Sequence, residues 1–124
     1  MRYMMFIKHT EDYRNADVPA RLYEEMGKFI EATTRSGNFI GGAGLQPSSA
    51  GARVTLKSGK ITVMDGPFTE TKEIVGGYAI MEAASRDEAL ALARRFMELH
   101  KDNWPAFEGE CELRPFEEEA QPAS

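Results

Sequence analysis

Residues 2–8, Arg-Tyr-Met-Met-Phe-Ile-Lys, and residues 74–83, Ile-Val-Gly-Gly-Tyr-Ala-Ile-Met-Glu-Ala, place apolar side chains at consecutive positions. A strand with one wet face alternates apolar and polar residues, so two unbroken runs predict central strands covered on both faces. Each run is followed by a helical pattern. Leu22, Met26, Phe29, Ile30 and Thr33 recur at helical spacing between Pro19 and Gly37, predicting a helix over about 19–36. After the second run, Ser85 and Glu88 fit a capping box, and Ala89, Leu92, Ala93, Phe96 and Met97 form one helical face ending near His100. His100 is expected to favour the negative end of that helix dipole, and Trp104 to pack.

Three further segments complete the order. Phe39 to Leu45 reads as a strand weakened by Gly41, Gly42 and Gly44. Val54 and Leu56, then Ile61 and Val63, alternate with polar residues around Ser58-Gly59, which predicts a hairpin whose second strand stops at Asp65 before Gly66-Pro67. Residues 110–115 alternate Glu110, Glu112 and Arg114 with Cys111 and Leu113 and read as a last strand, with Cys111 a small core residue. The order predicts an α+β fold: a ferredoxin-like βαββαβ-type domain with an inserted β-hairpin, spanning 1–116, followed by a flexible acidic tail, 117–124. Two helices cover only one face of such a sheet. At about 25 cal/mol per Å², leaving several hundred Å² of apolar sheet in water costs on the order of 10 kcal/mol, comparable to a domain's whole stability. A second copy is the simplest cover, so a homodimer is expected.

Bulk properties narrow the partners. One core is expected from 124 residues, and a net charge of −5 opposes general affinity for phosphate backbones, so nucleic acid is not an expected partner. No run approaches a membrane span, and the short apolar opening lacks a small-residue cleavage site; with a single cysteine, these point to a cytoplasmic protein. Gly42-Ala43-Gly44 lacks the rest of a dinucleotide fingerprint or P-loop, and no metal-ligand cluster stands out, so no cofactor is expected. A metal held by His9, Glu11, Asp12 and Asp65 would lack diagnostic spacing.

The densest chemistry lies in Asp65-Gly66-Pro67-Phe68-Thr69-Glu70-Thr71-Lys72-Glu73, which sets four ionisable groups at a rigid turn. This segment resembles the DGPF signature of the YCII-related proteins. The likeness extends to the opening strand, to Leu45-Gln46-Pro47-Ser48 leading to Arg53, and to Gly76-Gly77-Tyr78. It implies a ferredoxin-like domain that dimerises into an α/β barrel, similar in fold to muconolactone isomerases. It also implies two directions of function. A His and Asp pair in a cleft suggests an acid/base enzyme or small-molecule-binding domain; frequent neighbourhood with extracytoplasmic-function sigma factors suggests a non-catalytic regulatory or interaction protein. Carried onto this chain, the pair is His9 and Asp65, a neutral imidazole oriented by a carboxylate. Phe68, Glu70, Lys72 and Arg53 are the candidate ligand contacts. Asp65 has an equally good structural role, accepting backbone bonds within its own turn, and Glu70 and Lys72 can equally be solvated surface.

Overall fold

The structure, a computed structural model, describes residues 1–10, 17–68 and 73–117. The acidic tail expected from 117 onward lies almost wholly outside the described residues. In chain order the elements are β1 (Arg2–His9), α1 (Ala20–Arg35), β2 (Phe39–Gly44), a 3-10 turn (Ser48–Ala50), β3 (Ala52–Lys57), β4 (Lys60–Asp65), β5 (Ile74–Glu82), α2 (Arg86–Asn103) and β6 (Glu110–Pro115). β2, β5, β1 and β6 form a four-stranded sheet in that order, every neighbour antiparallel, while β3 and β4 pair only with each other. This α+β arrangement is compatible with a ferredoxin-like fold.

The two central strands are the two apolar runs, and their register explains their composition. Tyr3 faces Met81 and Met5 faces Ala79 across the β1–β5 ladder, and all four are buried on the helix side. Met5, Ala79 and Met81 form one core cluster with Leu92 and Ala93 of α2, against which Ile7, Phe39, Phe96, Cys111 and Leu113 pack. Burial holds the Cys111 thiol up at about 11, so it is inert at neutral pH, as expected of a core residue. The residues between, Met4, Phe6 and Ile80, are only half-buried, and Tyr78 on the same face is exposed.

Helix ends follow the local chemistry. Gly37, at positive φ, closes α1 with Asn38 N–H donating to Thr33 O at 2.9 Å. Ser85 Oγ caps α2 by accepting from Glu88 N–H at 3.1 Å. Glu88 departs from the expected reciprocal bond: its carboxylate accepts from Ala84 N–H and from Asn38 Nδ2. Asn38 Nδ2 also donates to Glu82 O at 2.9 Å, so one side chain ties the exit of α1 to the entry of α2.

Candidate functional site

The signature turn is built against residues 48–51. Gly66 N–H donates to Gly51 O at 2.9 Å, Phe68 N–H donates to Ser48 Oγ at 3.1 Å, and the Gly66–Pro67 peptide is cis. A Cβ on Gly66 would overlap the Ser48 carbonyl oxygen, so only glycine permits this approach. The Arg53 guanidinium lies 3.9 Å from the centroid of the Phe68 ring, a cation–π contact that joins β3 to the turn. Arg53 and Phe68 border a small cavity of about 310 Å³ with Ser48 and Leu45. Asp65 borders neither this cavity nor the larger one described next; it is exposed and sits opposite Ala52 on the last rung of the hairpin. Glu70 and Lys72 lie outside the described residues, as do Glu11 and Asp12.

His9 is elsewhere. It ends β1 opposite Ile74, is 7% exposed, and its Nδ1 lies 2.7 Å from Thr10 O. Its ring lies over Gly76, where a Cβ would overlap Nε2; the register shift between Ile7 and Lys8 falls opposite this glycine. The structure therefore does not gather His9 and Asp65 around one cavity.

The imidazole that His9 does meet across a cavity is His100. As expected of a helix-end residue, His100 sits in the last turn of α2, which ends at Asn103, but its side chain is also buried: it is 6% exposed, with Nδ1 2.9 Å from Phe96 O. Its ring sits between Phe96 at 4.6 Å and Phe107 at 4.9 Å, and Phe107 in turn lies 6.4 Å from His9 and 5.2 Å from Trp104. Burial pushes the His100 imidazole below its ordinary range and keeps it neutral near pH 7. Its burial was legible too: His100 follows Phe96 by one helical turn on the same apolar stripe as Leu92 and Ala89.

Both histidines border a cavity of about 380 Å³ between the helices and the sheet. Its floor is Met5, Ile7, Ala79 and Met81, α1 contributes Leu22, Met26 and Ile30, and Trp104 closes one side. Gly76 and Gly77 present bare backbone to it, which makes room for the His9 ring. Among the described residues no group of three or more His, Cys, Asp or Glu is placed to hold a metal, and no helix is long and apolar enough to cross a membrane.

Residues 1–102 match the YCII-related domain. The chain belongs to this family. An uncharacterised protein of Rhizobium meliloti is 38% identical over 88 residues, covering 71% of this chain and 64% of that relative, so the chain spans less than two thirds of the curated relative's length. The YCII-related match takes in both strands of the hairpin, the signature turn, His9 and His100. Trp104 and β6 lie beyond it.

Proposed function

We propose that this YCII-related domain binds a small, mainly apolar molecule in the cavity between α1 and the sheet, with His9 as its acid/base group. The supporting observation is that two imidazoles, each more than nine-tenths buried, border one cavity whose other walls are mostly apolar. Ligand sites of roughly 300–1,000 Å³ are lined in this way, with few polar groups placed among many apolar ones. Packing alone does not call for two buried imidazoles, since Leu or Phe would fill the same volume without polar atoms to satisfy. In this reading the signature turn is a clasp: Asp65 ends β4, Gly66 and Phe68 bind residues 48–51, and Arg53 covers Phe68.

The same reading includes a second copy packed on the outer sheet face, where Met4, Phe6, Tyr78 and Ile80 are incompletely covered. Trp104 is the only tryptophan in the chain and borders the cavity, so its fluorescence reports occupancy directly. Naphthalene is expected to quench or shift that emission saturably, and Met26→Trp, which fills the cavity from α1, to abolish binding while the fold persists by circular dichroism. Binding that survives Met26→Trp unchanged, or no saturable response in the wild type, rejects the cavity as the site.

A regulatory or interaction role is the second reading, favoured by the exposed apolar side of the β3–β4 hairpin, where Val54, Leu56, Ile61 and Val63 are each 65–71% exposed. Capture of a partner from the native host that is lost in Leu56→Glu supports it.

A further inference from the structure

Resting on the cavity reading above, we infer that the site selects ligands that bring a neutral hydrogen-bond donor on an aromatic or enolic frame, the phenol class, and rejects carboxylates. The inference comes from the tautomers of the two histidines. A carbonyl oxygen only accepts, so His9 Nδ1, 2.7 Å from Thr10 O, carries a hydrogen, and so does His100 Nδ1, 2.9 Å from Phe96 O. A neutral imidazole has one N–H; with it committed to the backbone, each Nε2 is left as a lone-pair acceptor.

Both commitments are made by the main chain, one to the next residue and one a helical turn back, so no ligand is needed to set them. Neither Nε2 receives a hydrogen bond from a described residue. Both rings are more than nine-tenths buried beside the same cavity, where a hydrogen bond from a ligand donor would satisfy an acceptor out of water. The surroundings define the rest of the ligand. Phe29, Phe96 and Trp104 border the space, which suits a planar ring, and among the described residues no Lys or Arg lines it, so the described walls offer a carboxylate no counter-charge.

Three probes of one size separate the possibilities at pH 7.5: 2-naphthol, 2-methoxynaphthalene and 2-naphthoate, each followed by Trp104 fluorescence. The expected result is 2-naphthol binding about ten-fold tighter than its methyl ether, and no saturable binding of the carboxylate. His9→Phe or His100→Phe, whichever ring takes the hydroxyl, should bring the two neutral probes to equal affinity. Equal affinity of 2-naphthol and 2-methoxynaphthalene in the wild type overturns the donor requirement but leaves the cavity standing as a site. Failure of naphthalene and all three probes removes both. Long-range 15N–1H correlation on the wild-type protein needs no variant: Nδ1-protonated patterns for both imidazoles are expected, and an Nε2-protonated pattern in either overturns the inference for that ring.

Discussion

The central sheet and the β3–β4 hairpin share strand-forming chemistry but differ in what covers them. In the sheet, Tyr3, Met5, Ala79 and Met81 share the helix-covered face and are almost fully buried. In the hairpin, Val54 opposes Val63 and Leu56 opposes Ile61, so the four share one side, and all are largely exposed. The opposite side carries Arg53, Thr55, Lys57, Lys60, Thr62 and Met64. Ser58 and Gly59, both at positive φ, make the tight turn that suits a twisted hairpin, but two strands alone are marginally stable in water. What anchors this pair within the chain is its base, where Gly66 and Phe68 bind residues 48–51. Alternation therefore sets which side of a strand is apolar, but not what that side will meet.

Substitution tests this contrast, starting where burial is greatest. Met81, 1% exposed at the centre of the core, should cost about 2–5 kcal/mol when changed to Ala, measured by urea unfolding. A loss below 1 kcal/mol would mean that the core is not packed as described.

Gly76→Ala comes next, at about 1–3 kcal/mol, because the new methyl meets the His9 ring. The double-mutant cycle with His9→Ala sharpens it: Gly76→Ala should become nearly neutral once the ring is gone, and additive losses would show that the two residues do not touch.

His100 predicts a pH dependence. Its folded-state pKa is lowered by burial, so as pH falls through the ordinary value of about 6.5 the unfolded chain takes up a proton that the folded chain resists. Stability is therefore lost on acidification below that point and levels off below the folded-state pKa. His100→Phe should remove this component, seen as a wild-type minus variant difference in unfolding free energy that shrinks from pH 7.5 to 5.5. A flat difference would show that the ring is solvated.

The smallest effect is expected in the hairpin. Leu56→Thr should change the unfolding free energy of the isolated protomer by no more than about 0.5 kcal/mol, as for other exposed positions. If a second copy covers this side, the same substitution instead lowers the midpoint in a concentration-dependent manner, and sedimentation shows the weaker dimer.

Much of the fold was legible because its signals are local. Apolar periodicity placed both helices and the six strands within a few residues, and the hairpin turn, the α1 stop at Gly37 and the Ser85 cap each depend on residues close in sequence. The site was legible only in pieces. His9 was singled out, but its expected partner Asp65 lies on the exposed end of the hairpin, while His100, rightly read as lying in the last turn of α2, was not recognised as buried although its spacing from Phe96 placed it on the apolar stripe. The glycines at 76 and 77 hinted at close backbone approach without naming what approaches.

The sequence by itself determined the element types, the apolar side of each strand and the end of β4 before Gly66-Pro67, since these follow from side-chain period and backbone sterics over a few residues. Only the tertiary structure decided that His9 and His100 border one cavity and that Asp65 borders neither. That depends on the β1–β5 register and on how α2 lies across the sheet, long-range pairings that no local propensity encodes.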